Sequence, residues 1–278
     1  MYIEALEVGW TLWGNRAKIQ RRLLQLFNRI LRGHIRIAVF GLGGTGKTTV
    51  GKFLAGKLTP ADSGKYQLSY STEEFRLQGE LVCTLLVPGG QRRRIEHDWP
   101  ELFRRIADGK ASGIINVVSW GHHSFSDIAF SETKYFSRLR ERLGRDPSKD
   151  EFVAEYLEQM RMEELRVTRE MLPHLKMAEG KLWMVTLVTK QDLWWRHRAD
   201  VRKHYVEGEY NALIEELRAS LGRKSFTHEY VSASLVVSNL QTNDGTVLVP
   251  TAEGYDQGIQ YANLGNVVRA INEFVKKQ

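Results

Sequence analysis

The sequence predicts an α/β protein in three layers, a mostly parallel central sheet with helices on both faces. Three observations predict it. A glycine-rich loop, Gly41-Leu42-Gly43-Gly44-Thr45-Gly46-Lys47-Thr48, joins a short apolar run to a helical pattern. Leu182 to Val188 is apolar and rich in β-branched residues without polar alternation, so it reads as a parallel strand buried on both faces. Leu81 to Val87 has the same character.

The first strand is Ile35 to Phe40, and the helix behind it opens over Thr48 to Leu54. The loop between them fills every fixed position of Gly, any four residues, Gly-Lys-Ser/Thr. A strand–loop–helix of this kind aims several backbone N–H groups and a helix N-terminus at one spot, which suits a polyphosphate. In that pattern Gly41, Gly43, Gly44, Thr45 and Gly46 bring the backbone to the phosphates, with Thr49 just inside the helix. Lys47 reaches the β- and γ-phosphates and Thr48 holds magnesium. A plain glycine-rich turn does not explain the Lys-Thr pair.

Tyr66 to Leu77 alternates and reads as a strand paired through Gln78-Gly79-Glu80 with Leu81 to Val87. Gly113 to Trp120 is the fourth strand. From Gly121 to Gly180 the chain is longer than one helix and a turn require. Ser148 and Glu151 form a capping box that opens a helix there, and Pro173 ends it or lies just after it. His122 and His123 read as loop histidines, since no spaced set of metal ligands accompanies them.

Leu182 to Val188 runs into Thr189-Lys190-Gln191-Asp192. A carboxylate at Asp192 can accept the N1–H and 2-amino group of guanine, a donor pair that adenine lacks. The stem of Lys190 can lie over the base plane. On the next strand, Tyr230 to Ser234, a backbone N–H near Ala233 can meet the guanine carbonyl. Further on, Thr242-Asn243-Asp244-Gly245 between Leu235–Leu240 and Thr246–Val249 is a hairpin signal, and Leu264 to Lys276 reads as the last helix. The aromatic and basic run Asp192 to Arg198 resembles single-strand nucleic-acid chemistry, but its place beside Asp192 favours pocket packing and a solvated helix face.

With these motifs in order, the chain resembles the Ras-like small GTPases of the P-loop class. The resemblance rests on Gly41 to Thr48, on Thr189-Lys190-Gln191-Asp192 (family pattern Asn/Thr-Lys-any-Asp) and on Ser232-Ala233-Ser234 (family pattern Ser-Ala-Lys, with Ser234 in the lysine position). It implies a three-layer P-loop NTPase fold over 35–278, GTP or GDP with magnesium as ligands, and base contacts from Lys190, Asp192, Ser232, Ala233 and Ser234. The family's switch II pattern, Asp-any-any-Gly-Gln, meets Val87-Pro88-Gly89-Gly90-Gln91 here. Gly90 then senses the γ-phosphate through its N–H, and Gln91 and Lys47 are the catalytic candidates, Gln91 orienting the attacking water. Valine stands where the family has aspartate, and no acid lies between Glu80 and Glu96. Weaker magnesium binding or slower turnover is the expectation. The switch I hydroxyl that completes the metal site falls near Ser63, with Thr59 and Thr72 as rivals.

Composition fits one globular α/β domain. The chain has 278 residues, 42% hydrophobic and 26% charged, and a formal net charge of +7. No apolar run reaches the roughly 18 residues that span a bilayer, and no signal peptide is visible at the start. Cys83, the single cysteine, reads as a small buried hydrophobe. A cytoplasmic setting is expected, with attachment at the inner membrane surface as an option. That option comes from residues 1–34, a separate arm. Ile19, Leu23, Leu26, Phe27, Ile30 and Leu31 share one helical face of it, basic residues cover the rest, and Trp10 and Trp13 precede it. Docking on protein is favoured over a membrane surface, and both over nucleic acid. The expected function is a GTP-binding switch that hydrolyses slowly and signals to an effector protein. The alternative is a nucleotide-bound scaffold that never hydrolyses. The additions to the basic plan are the helical insertion near 121–180 and the hairpin near 235–250.

Overall fold

The computed structural model describes residues 37–55, 58, 73–76, 84–87, 92–109, 111–125 and 129–276, of which 73–76, 84–87 and 92–98 enter by their backbone alone. The arm at 1–34, Ser63, Cys83, Gly90 and Gln91 lie outside the described residues. In chain order the elements are β1 (Ile37–Phe40), α1 (Lys47–Leu54), β2 (Glu73–Arg76), β3 (Thr84–Val87), α2 (Arg92–Ala107), β4 (Gly113–Val118), α3 (Lys134–Leu143) and α4 (Lys149–Leu175). There follow β5 (Leu182–Val188), α5 (Gln191–Trp194), α6 (Arg198–Arg202), α7 (Glu209–Leu221), β6 (Phe226–Ser232), β7 (Leu240–Gln241), β8 (Val247–Val249) and α8 (Gln257–Lys276).

Six strands form the main sheet in the order β2-β3-β1-β4-β5-β6. Only β2 runs antiparallel to its neighbour; the other pairs are parallel. Successive side chains of a strand face opposite sides, and β1 shows it directly. Ile37 and Val39 pack with Val50 and Phe53 of α1 and with Val268, Ile271 and Phe274 of α8. Ala38 and Phe40 pack with Trp99 and Phe103 of α2, Met171 and Leu175 of α4, and Ile214 and Leu217 of α7. The layers are therefore α1 and α8, the sheet, and α2, α4 and α7, as the sequence predicts. Gly113 is required on β4 because the indole of Trp183, its partner on β5, crosses it. A Cβ at 113 would stand 2.0 Å from that ring.

The two additions share a third apolar cluster. Phe125, Phe136, Leu139, Phe152, Tyr156 and Met160 of the inserted segment meet Leu240 and Leu248 of the small β7–β8 sheet, and Leu193 of α5 completes the group.

Several expected boundaries move. β4 ends at Val118, because Trp120 turns left-handed (φ 51°) and starts a loop. The Ser148–Glu151 capping box is present, but α4 carries Pro173 inside it and continues to Leu175. Burial of Leu172 and Leu175 offsets the hydrogen bond that proline forgoes. α8 begins seven residues before the expected Leu264, since the Asp256 carboxylate accepts the N–H of Ile259 at 2.8 Å and caps the helix there. The hairpin is shorter than expected. Residues 235–239 form no strand, and the β7–β8 pair closes around Gly245 (φ 86°).

Candidate functional site

The loop from Gly41 to Gly46 leaves the C-terminal end of β1 and enters α1 at Lys47. It turns on three glycines with left-handed φ: Gly41 (139°), Gly44 (79°) and Gly46 (95°). At Gly41 the constraint is also steric, for a Cβ there would lie 2.2 Å from the carbonyl oxygen of Val117 on β4. Lys47 is 7% exposed and folds back so that Nζ donates to Leu42 O at 2.8 Å. The Thr45 hydroxyl donates to the same carbonyl at 2.9 Å. The lysine ammonium is thus held inside the ring of backbone that a phosphate would occupy from the other side. A glycine-bent loop of this sequence, lying between a central strand and its helix in a 2-3-1-4-5-6 sheet, decides the fold. The fold is that of the P-loop class.

The second half of the site comes from the end of β5, two strands away from β1. Thr189 ties the halves together: its hydroxyl lies 2.6 Å from Thr45 O and 3.0 Å from Val118 O. Thr189→Val keeps the shape and removes this donor. An expected loss of about 2 kcal/mol in unfolding free energy follows, checked by urea titration; wild-type stability would show that the hydroxyl does not carry the link. Lys190 follows in a left-handed conformation (φ 56°), and Nζ donates to Ser124 Oγ at 2.9 Å. Burial pushes its ammonium down to about 7, while the charges of Asp192 and Glu164 resist. Ser124 in turn donates its N–H to Gly44 O at 3.1 Å, so phosphate loop, Lys190 and the loop after β4 form one closed set.

Asp192 is 1% exposed. Its Oδ1 accepts from Ser234 Oγ, which also accepts the N–H of Asp192 at 2.8 Å. Its Oδ2 accepts the N–H of Ser238 at 3.0 Å. Burial raises its carboxyl above the usual carboxylate range, and those hydrogen bonds oppose the rise. A cavity of about 420 Å³ lies against it, running from Thr45, Gly46 and Thr49 past Lys190 and Asp192 to Leu235, Val236 and the β7–β8 turn. Ser124 and Phe125 line one side.

Two expected base contacts are corrected. The N–H of Ala233 donates to Val188 O at 3.1 Å, extending the β5–β6 ladder, and so has nothing left for a base. Ser232 accepts from Gln191 Nε2 at 2.9 Å. Neither residue lines the cavity: Ser232 ends β6, and the N–H of Ala233 carries its ladder one bond further before the chain turns. Ser234 stays in the site, as the hydroxyl that orients Asp192, and Leu235 and Val236 take the cavity wall.

For magnesium, the first turn of α1 offers the Thr48 hydroxyl. No group of three or more His, Cys, Asp or Glu residues that could hold an ion occurs among the described residues. One hydroxyl suits an ion held mainly by nucleotide phosphate oxygens and water. Val87 ends β3, beside β1.

His122 and His123 lie in the loop after β4, as expected; both are buried, and His123 Nε2 lies 2.8 Å from the buried carboxylate of Glu164. Glu164 was not foreseen as part of the site. Its signal in the sequence is spacing, since it shares a helical face with Met160, Val167, Thr168 and Met171. Of the tryptophans after Asp192, Trp194 is buried with Nε1 donating to Thr189 O at 2.8 Å, whereas Trp195 lies under the guanidinium of Arg198.

No protein-family profile matches the chain, and no curated protein sequence matches it. Among solved structures it is similar to an ADP-ribosylation-factor-like GTP-binding protein, the small COPII coat GTPase SAR1 of Encephalitozoon cuniculi, in complex with GDP. That match has 15% identity over 98% of this chain and 94% of the other, with a TM-score of 0.39. It is also similar to Toc33 of Arabidopsis thaliana in complex with Mg2+ and GMPPNP, at 13% identity over 94% of each chain and a TM-score of 0.43. A GTP-binding protein of the archaeon Sulfolobus solfataricus, in complex with GDP, matches at 13% identity over 88% of this chain and 53% of that one, with a TM-score of 0.37. The functional reading rests on this chain's own residues.

Proposed function

We propose that the chain binds a guanine nucleotide, GTP or GDP with magnesium, and acts as a slow GTP-hydrolysing switch read by a partner protein. The observation that carries the nucleotide reading is the buried carboxylate of Asp192 at one end of a cavity whose other end is the phosphate loop. Ser234 and Ser238 fix both carboxylate oxygens in place, and each oxygen keeps a lone pair for the N1–H and 2-amino group of guanine. Adenine offers no such pair, so discrimination is expected at about a thousandfold or more. Thr45, Gly46 and Lys47 receive the phosphates, Thr48 binds the ion, and the ion supplies charge neutralisation on the phosphate oxygens.

Competition of GDP and ADP for the protein, followed by calorimetry with magnesium present, tests this reading. GDP should win by that margin, and equal affinity for the two diphosphates overturns it. The residue that supports the scaffold alternative is Val87, which stands where the resembled family places a metal-side aspartate. Single-turnover conversion of GTP separates switch from scaffold: product above the buffer blank supports the switch, and none leaves the scaffold. The setting remains proposed as cytoplasmic; no helix among the described residues is long and apolar enough to cross a membrane.

A further inference from the structure

The loop 119–124 touches both halves of the cavity, yet little in its own composition would hold it still. Two of its residues are left-handed in succession, Trp120 (φ 51°) and Gly121 (φ 82°). The N–H groups of Ser119 and Gly121 turn toward one point, and that of Trp120 toward another. At the first point the protein supplies an anion itself. Glu164 of α4, in the inserted segment, is 2% exposed. Its Oε1 accepts the N–H of Ser119 at 2.8 Å and of Gly121 at 3.4 Å, and Nε2–H of His123 at 2.8 Å. Its Oε2 accepts from Tyr205 OH at 2.5 Å, and the same tyrosine oxygen accepts the N–H of Trp120 at 2.9 Å. Tyr205 is delivered by a π-helical turn, Lys203–Glu207. Burial raises the Glu164 carboxyl, but His123, Tyr205 and the backbone donors bring it below its usual value, so it carries its charge.

We propose that Glu164 is a positioning residue for the nucleotide: by fixing loop 119–124 it holds Ser124 against Gly44 and Lys190 and so slows nucleotide dissociation. This rests on the guanine-nucleotide reading of the cavity. Nothing in Glu164 reaches the cavity wall; it acts only through the loop. Its charge also reaches Lys190. The charged and titratable groups facing that ammonium are Asp192 on its own element, Glu164 on α4 and His122 on the loop. The two carboxylates favour the protonated lysine, which binds a polyanion better than the neutral amine does. Nucleotide affinity therefore falls as pH rises through the titration of Lys190, and loss of the Glu164 charge moves that fall to lower pH.

The experiment is the dissociation rate of radiolabelled GDP, chased with unlabelled GDP between pH 6.5 and 9. Glu164→Gln should dissociate about tenfold faster at pH 7.5, with its pH profile displaced downward. Tyr205→Phe should speed release about threefold with the profile in place, since the charge remains. Leu217→Ala, a buried residue of α7 outside this network, should lower the melting temperature and leave dissociation unchanged. Wild-type rates and profiles in folded Glu164→Gln and Tyr205→Phe overturn the inference alone. So does Leu217→Ala matching the acceleration of Glu164→Gln, because the effect is then general loosening. Should Glu164→Gln not fold, Tyr205→Phe decides. Wild-type protein that prefers ADP, or binds neither diphosphate, overturns the guanine-nucleotide reading and this inference with it.

Discussion

Lys47→Ala is expected to weaken GDP binding by about 3 kcal/mol or more, roughly 150-fold, because it removes a charge-assisted contact to phosphate from a nearly dry site. The lysine stands ready for that contact. Its ammonium is held by Leu42 O within the same backbone ring whose N–H groups would meet the phosphates. Little of its freedom remains to be lost on binding, so most of the charge interaction appears as affinity. The unliganded fold should change less, since one hydrogen bond to a loop carbonyl contributes about 1 kcal/mol. Calorimetry with GDP and magnesium, beside a melting curve of the free variant, separates the two effects. Wild-type affinity in the variant would show that the loop is not a phosphate site.

Asp192→Asn should shift the base preference away from guanine. One carboxylate oxygen becomes an NH2 group that faces donors: the N–H of Ser238 on one side, or the N1–H and 2-amino group of guanine on the other. Ser234 can adapt by rotating its hydroxyl, but the Ser238 amide cannot. A buried donor facing donors costs about 3 kcal/mol, or roughly 150-fold in GDP affinity. Xanthine nucleotides carry a carbonyl at the position of the 2-amino group and gain a partner. Competition between GDP and xanthosine diphosphate should narrow or reverse. If guanine keeps its wild-type margin, Asp192 does not read the base.

The ends of the central strands were the legible part. The phosphate loop fills a fixed pattern, and β5 runs over Leu182 to Val188 as its unbroken apolar run predicts. Ser232 and Ser234 could not be told apart in this way. In the expected strand, Tyr230 to Ser234, they stand two apart and so share a face, and only the observed end of β6 at Ser232, with the ladder bond of Ala233 to Val188, shows where the strand stops. Glu164 was harder still. A single acid in a helix with many charges reads as a solvated side chain, and its donors come from a loop and from Tyr205, more than forty positions away on either side. Such long-range electrostatic pairing leaves no local pattern. The reach of β7 and β8 is shorter than expected for a related reason: the β-branched Val236 and Val237 favour extended backbone in isolation, but here Leu235 and Val236 form the cavity wall.

The shared apolar cluster has a consequence for how this chain can change over time. Phe152 from one addition and Leu248 from the other are covered by each other's neighbours, and Leu193, next to Asp192, lies under both. Deleting the hairpin alone would bare aromatic rings of the inserted helix; deleting the insertion alone would leave a two-stranded ribbon that cannot stand unaided. Each loss exposes side chains whose burial contributes about 1.5–3 kcal/mol apiece. The pair is therefore heritable only as a unit, and a pared-down descendant must shed both segments at once and find another cover for Leu193.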